Sequence, residues 1–440
     1  MLERLFSLKE NNTSPRTEIV AGITTFMTMS YIIFVQPAVL GAAGMDPGAV
    51  MVATCLSAAI GTVLMALMTN YPIALAPGMG ENFYFTYIVV LTLGYSWEIT
   101  LGAVFIAGAA FILLSTVGLR EKIISVLPDC LKYSIPVGLG LLIAFVGLEW
   151  SGIIVGHPVT YVTLGDLTSA PTLISVLGLI VMAVLFALRI RGAILIGFIV
   201  TTAASLIIGI TEFKGVFAMP PSLDPTLFKL EIPNIFADPS LVTVIFIFLF
   251  LDMFDTVGTL IGVSQPAGLM KNGKLPEARK ALLSDAIATG AGALLGTSTV
   301  TAYIESTSGI SAGGKTGLTG LVVALLFILA LFINPVVQLA GAGYQTEGLT
   351  LYPIIAPALI IIGAMMFKNI VNIDWEDYTE TIPAFLTLII MPLAFSITDG
   401  ISFGVISYVL LKVATGKGKN VHWLLYFFAI LFMARYIWLK

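Results

Sequence analysis

The chain has 440 residues, of which 58% are hydrophobic and 10% charged, with a mean hydropathy of +1.02. Ordinary soluble domains carry about 25% charged residues, so this composition excludes a water-soluble globule and leaves a polytopic membrane protein. The net charge of −4 says little in a membrane protein, no nucleic-acid partner is expected, and two cysteines, Cys55 and Cys130, make no disulfide framework.

Met1 to Arg16 lacks the short apolar core and small-residue cleavage site of a signal peptide, so the first apolar span is expected to act as the insertion signal. A helix needs about 20 residues to cross about 30 Å of hydrocarbon. Stretches of that kind fall near 18–40, 49–69, 99–118, 133–149, 171–188, 192–210, 240–263, 281–296, 317–338, 349–367, 382–397 and 399–412. Two further crossings, near 71–92 and 297–314, are interrupted. In the first, the prolines of Tyr71–Pro77 oppose helix and push Ala76 toward an extended backbone, and Gly78 to Gly80 then lead into Glu81, Asn82, Phe83 and a helical half. In the second, the hydroxyl-bearing and β-branched residues from Thr297 to Tyr303 favour extended backbone, and the Ser and Thr residues around Glu305 offer N-caps for a second half-helix. The polar loop Thr211–Pro239 divides the fourteen crossings into two sets of seven, with the interrupted crossing third in each. Because seven is odd, the second set enters the membrane upside down, which predicts an inverted repeat with its substrate site at the paired breaks.

A carboxylate at membrane depth costs about 2.5–3.5 kcal/mol on insertion scales and usually faces a polar pathway. Glu305 is therefore the first candidate for a working residue. Asp252 and Asp255 lie three apart in the 240–263 crossing, Asp255 stacks above Thr259, and Gly258 and Gly262 predict close approach of another backbone. His157 and His422 fall outside the crossings, so proton coupling has to use Glu305, Asp255, Asp252 or Glu81. Structural roles stay open for each: a brace to a neighbouring helix for the aspartates, a bond to freed backbone for Glu305, an N-cap for Asn82 and a vestibule charge for Glu81. Phe26, Phe83, Phe254 and Tyr303 flank these polar residues and suit stacking on a flat ligand. Carboxylates accept from ring N–H groups and an amide reads mixed edges, so the set suits a planar heterocycle. On these grounds alone an amino acid or an inorganic ion stays open. Gly314-Lys315-Thr316 lacks the glycine spacing of a phosphate-binding loop. No metal-ligand cluster, cofactor motif or nucleophile–base pair is apparent, so an enzyme is not expected.

Basic residues set the orientation. With Arg4, Lys9 and Arg16 in the cytoplasm, the same side holds Arg120, Lys122, Lys132, Arg189, Arg191, Lys271, Lys274, Arg279, Lys280, Lys315, Lys368, Lys412, Lys417 and Lys419. Apart from the tail, the other side keeps only Lys214 and Lys229. The apolar, aromatic tail from His422 to Lys440 reads as an interfacial helix, with an extra crossing as the alternative.

Four ordered motifs, Ala21-Gly-Ile-Thr-Thr-Phe-Met-Thr-Met-Ser-Tyr31, Ala76-Pro-Gly-Met-Gly-Glu-Asn82, Phe254-Asp-Thr-Val-Gly258 and Thr299-Val-Thr-Ala-Tyr-Ile-Glu-Ser306, resemble those of nucleobase:cation symporters of the nucleobase–ascorbate transporter superfamily, in the AzgA-like hypoxanthine/guanine permease branch. The resemblance implies an all-α, uracil-permease-like fold of fourteen segments in a 7+7 inverted repeat, with two short antiparallel strands in the interrupted third and tenth. It implies a core domain at 1–118 and 240–338, a gate domain at 119–210 and 339–415, an extracytoplasmic loop at 211–239 and a C-terminal interfacial helix at 416–440. Carried over by motif, Asp255, Glu305 and Asn82 would contact the purine, Phe26 would wall the site, and Ile304 and Ser306 would offer backbone contacts; Phe83, next after the second motif, belongs to the same set as a flanking aromatic. Related permeases often have an apolar residue where this chain has Glu81. The implied activity is proton symport of hypoxanthine, guanine and adenine across a bacterial-type inner membrane by a homodimer in the lipid bilayer. Xanthine or uracil as substrate, and sodium as coupling ion, stay open as alternatives.

Overall fold

The computed structural model describes the chain except residues 1, 118–126, 191, 214, 234, 236–237, 265–266, 271–274, 347–348 and 439–440. The basic residues Arg120, Lys122, Arg191, Lys214, Lys271, Lys274 and Lys440, and the side chains of Phe254 and Arg435, lie outside the described residues. Among the described residues, eight helical segments are long and apolar enough to cross a membrane, the longest being Pro15–Ala42 with 28 residues. The chain forms two compact units, residues 1–118 with 149–358 and residues 119–148 with 359–440.

The larger unit begins with α1 (Leu2–Phe6), α2 (Pro15–Met29), α3 (Ile32–Ala42), α4 (Pro47–Thr69), β1 (Leu75–Pro77), α5 (Met79–Phe83), a π-helical stretch at Tyr84–Thr92 and α6 (Trp97–Val117). α7 (Asp129–Trp150) belongs mostly to the smaller unit. The larger unit resumes with a hairpin of β2 (Ile154–His157) and β3 (Tyr161–Leu164), then α8 (Ala170–Ala187), α9 (Ala193–Ile208), α10 (Pro239–Ser264), α11 (Ala278–Leu295), β4 (Val300–Ala302) and α12 (Ser306–Ser311). It continues through α13 (Gly317–Ala330), α14 (Asn334–Ala340), the hairpin β5 (Tyr344–Thr346) and β6 (Leu349–Leu351), and the start of α15 (Ala356–Met366). The smaller unit closes with α16 (Tyr378–Leu393), α17 (Ile397–Ala414) and α18 (Trp423–Trp438).

The first apolar span runs as one 28-residue segment with a local distortion at Ser30–Tyr31, between α2 and α3, where both residues keep right-handed helical torsions. The cause lies in the hydroxyls just before it: Thr28 donates to the Thr24 and Thr25 carbonyls at 3.2 and 2.8 Å, and Ser30 to the Met27 carbonyl at 3.4 Å. Such back-bonding competes with the helix ladder and bends it.

β1 and β4 pair antiparallel, with Leu75 opposite Ala302, Ala76 opposite Thr301 and Pro77 opposite Val300. A two-stranded sheet leaves both outer edges unpaired, a severe cost away from water. Here each edge is closed by a threonine from a flanking helix. The Thr62 hydroxyl on α4 accepts from the Leu75 N–H at 2.9 Å and donates to the Leu75 carbonyl at 3.0 Å. The Thr289 hydroxyl on α11 does the same to Val300, at 3.0 and 3.1 Å. Leu75, Val300 and Ala302 pack with Met65, Leu260 and Ala288 in a buried cluster beneath the strands.

Small residues let these helices close up. A Cβ on Gly22 would stand 2.7 Å from the Thr319 carbonyl, one on Gly61 2.9 Å from Ala288, and one on Gly108 3.0 Å from the Gly290 nitrogen. The close approach expected at Gly258 and Gly262 is not made: nothing lies within 4 Å at Gly258, and Gly262 meets only the Ile304 side chain at 3.3 Å. Both glycines are exposed, so that face of α10 borders open space rather than a helix.

In the smaller unit, buried Lys412 on α17 donates to the Thr379 hydroxyl at 2.7 Å and the Glu380 carboxylate at 2.5 Å. Asp377, the N-cap of α16, accepts from the Thr379 backbone at 2.8 Å and pairs with Lys417 at 3.0 Å.

Candidate functional site

The segments 71–92 and 297–314 meet at the strand pair, and each strand leads into the short helix beyond it. After β4 the chain turns through Tyr303 and Ile304 into α12, with Glu305 at its N-cap position. After β1 it enters α5, which carries Glu81, Asn82 and Phe83, all buried. The turns are tied across the pair: Gly78 N–H donates to the Thr299 carbonyl at 2.9 Å, Tyr303 N–H to the Ala74 carbonyl at 3.0 Å, and Ala74 N–H to the Ser306 hydroxyl at 3.0 Å. The Tyr303 hydroxyl donates to the Pro77 carbonyl at 2.5 Å. Ser306 therefore serves the backbone freed by the break with its side chain.

Glu305 is 5% exposed and accepts from the Tyr31 hydroxyl at 2.8 Å. Tyr31 stands at the distortion of the first span, with its ring 6.3 Å from that of Tyr303. The distortion in the first span thus brings a donor to the turn between β4 and α12. On α10, Asp255 is half-buried and accepts from the Thr301 hydroxyl of β4 at 3.4 Å. Asp252, one turn earlier, is fully buried. Asp285 of α11 is also fully buried and accepts from the Thr256 hydroxyl at 2.6 Å. Asp255 and Asp285 are the carboxylates near enough to act electrostatically on Glu81, and Glu305 acts on Asp255.

Asn82 is fully buried and engaged on both sides of its amide. It pairs with Gln36 of α3 in both directions, the Gln36 nitrogen donating to it at 3.0 Å, and its oxygen also accepts from Ser298. Gln36 donates as well to Thr297 at 2.9 Å. Phe83 is buried against Tyr87, with ring centroids 5.7 Å apart, and Phe26 meets Phe327 edge-on at 5.2 Å. Ile304 is 40% exposed beside Gly262, so Asp255, Gly258, Gly262 and Ile304 share one accessible strip.

Glu81, Asn82, Asp255, Glu305, Ile304 and Ser306 are therefore gathered around one strand pair, while Phe83 and Phe26 pack into neighbouring aromatic contacts. Sequence reasoning missed Tyr31, Gln36 and Asp285. Gln36 and Asp285 had a signal, each being a polar residue inside an apolar crossing; Tyr31 had none, since a tyrosine in a membrane span is unremarked until the helix is distorted beneath it.

The chain matches the permease family over residues 16–403. It is 43% identical to a guanine/hypoxanthine permease, PbuG, of Bacillus subtilis, covering 100% of both chains. It is 41% identical to an adenine permease, AdeP, of Escherichia coli, covering 100% of this chain and 96% of the relative. The transmembrane domain of the cyanobacterial bicarbonate transporter BicA has a similar fold, with a TM-score of 0.64 at 15% identity over 90% of this chain and 97% of that one. With a match of this extent to the family and such relatives, the chain belongs to the nucleobase–ascorbate transporter group of the permease family and is a membrane transporter, not an enzyme.

Proposed function

We propose that this chain imports purine nucleobases, hypoxanthine and guanine with adenine in the same class, by proton symport across a bacterial-type inner membrane. The observation that carries the reading is the convergence of Asp255 and Glu305, from different crossings, on the strand pair formed by the two breaks. Two carboxylates accept from the ring N–H groups of a purine, and the accessible strip at Gly258 and Ile304 gives a flat ring somewhere to lie. Relatives of over 40% identity along nearly their whole length are named as purine permeases, which supports the substrate class.

The architecture proposed is fourteen crossings in a 7+7 inverted repeat. The matching threonine clamps support it: Thr62 and Thr289 close equivalent strand edges, each from the helix preceding its strand. In this reading residues 1–118 and 240–338 form the core domain and 119–210 and 339–415 the gate domain, moving against each other, with the N-terminus cytoplasmic, 416–440 interfacial and the protein a homodimer. Asp255, Glu305, Asn82, Phe26, Phe83, Ile304 and Ser306 form the substrate set. The coupling proton rides on one of Glu305, Asp255, Asp252 or Glu81.

Asp255→Asn and Glu305→Gln should each abolish accumulation of labelled hypoxanthine in proteoliposomes under an inward proton gradient while the protein still inserts. Full accumulation by both variants refutes the reading. Competition by unlabelled xanthine or uracil, or drive by sodium in place of the proton gradient, would identify the alternative substrate or ion.

A further inference from the structure

We propose that Glu81 is the residue that carries the coupling proton, an inference that rests on the symport reading above. Hydrogen bonding sets three of the buried or half-buried acids around the strand pair apart from Glu81. Glu305 accepts from the Tyr31 hydroxyl, Asp255 from Thr301 and Asp285 from Thr256, so each has a donor that suits an ionised carboxylate. Glu81 is 1% exposed, and neither of its oxygens accepts a hydrogen bond from another residue. A buried carboxylate to which no other residue donates gains most from a proton, so among these acids Glu81 is the one placed to take it up.

Its position is fixed by the break. The carboxylate folds back over Gly78, where a Cβ would collide with it, and the same Cβ would stand 3.1 Å from the Thr301 methyl. Thr301 thus lies between Glu81 on its methyl side and Asp255 on its hydroxyl side. The titratable groups acting on Glu81 from the packed elements are Asp255 of α10, Asp285 of α11 and Tyr303 after β4, while α3 presents the neutral Gln36. Two acidic neighbours and, among the described residues, no basic one acting on it make a proton on Glu81 the means of lowering the charge of the site. One proton from the outer solution adds to the Glu81 carboxylate as purine binds, and the same proton leaves to the inner solution when purine does.

The test reconstitutes the full chain in proteoliposomes and compares wild type with Glu81→Gln and with Glu81→Leu, the latter removing the polar head altogether. Two quantities are read: accumulation of labelled hypoxanthine under an imposed pH gradient, and hypoxanthine exchange at equal pH on both sides from pH 5.5 to 8. In both variants the inside-to-outside ratio should fall to about 1 while exchange remains measurable and loses its dependence on pH. A Glu81→Gln protein that accumulates hypoxanthine as wild type does overturns the assignment and leaves symport standing. Folded variants that lose exchange together with accumulation also overturn it, since Glu81 is then a binding or packing residue. Wild type that accumulates nothing under a pH gradient overturns the symport reading itself.

Discussion

Replacing Thr289 by Val keeps the shape of the side chain and removes one hydroxyl. That hydroxyl holds two backbone groups at once, the N–H and the carbonyl of Val300, at 3.0 and 3.1 Å. Both are buried, with Val300 and Thr289 each at 0% exposure, so no solvent replaces the lost partner. A buried polar group left unsatisfied costs about 1–3 kcal/mol, and two of them give about 2–6 kcal/mol for the single substitution. Packing contributes little, because the methyl that replaces the hydroxyl fills the same space. Thermal unfolding in detergent, with hypoxanthine uptake alongside, measures the loss; Thr289→Ser, which keeps the hydroxyl and drops the methyl, is the control. Thr289→Val should melt well below wild type and Thr289→Ser should stay near it. Equal damage from the two would show that the methyl, not the hydroxyl, holds the strand, and the edge-closure argument would fail.

Gly258→Leu should block hypoxanthine uptake with little change in melting temperature, since nothing lies within 4 Å of the added Cβ and the glycine borders the accessible strip beside Asp255; a variant with normal uptake removes that strip from the substrate path. Gln36→Leu should lower stability by about 1–3 kcal/mol in the same melting assay, because the Asn82 amide loses its paired partner in a buried site. In the smaller unit, the Thr379 hydroxyl first and the Lys417 ammonium second hold the Asp377 carboxyl below the usual carboxylate range. A depressed folded value means stability that is present above the unfolded pKa of about 3.9 and is lost as the pH falls through the folded value. The gap in melting temperature between wild type and Asp377→Asn should therefore be full at pH 7 and close below about pH 4; a gap independent of pH would assign the effect to the N-cap geometry alone.

Much of this site was legible because membrane depth makes polar residues expensive. Glu305, Asp255 and Asn82 stand out in an apolar chain, and the prolines of Tyr71–Pro77 and the threonines of Thr297–Thr301 announce extended backbone. What stayed hidden is relational. Nothing local in Ala21–Tyr31 shows that its threonines will bend the first span and present Tyr31 to Glu305, 274 residues away. Gly258 and Gly262 carry the spacing of a helix-packing motif, but that spacing also leaves room for anything else small or flat, and only the neighbours decide between the two uses. The crossing that holds Asp285 reads as an ordinary apolar helix with one acid near its start; the meaning of that acid depends on Thr256 of another helix.

The strand pair does more than bring the two breaks together, because its register decides which residues face the acids. In a strand successive side chains point to opposite faces, and a slip of one residue exchanges the faces completely. In β4, Val300 and Ala302 pack into the buried cluster with Leu75, while Thr301 between them turns its hydroxyl to Asp255. Shifted by one, the strand would bury the Thr301 hydroxyl among Met65 and Leu260 and present two aliphatic groups to Asp255 and Glu81. A three-residue pairing has few bonds of its own with which to resist that shift. The resistance comes from Thr62 and Thr289, each of which grips the N–H and the carbonyl of a single residue and so fixes its strand along as well as across the sheet. Thr62 of α4 and Thr289 of α11 thereby decide which residues face the acids carried by α5, α10 and the turn before α12.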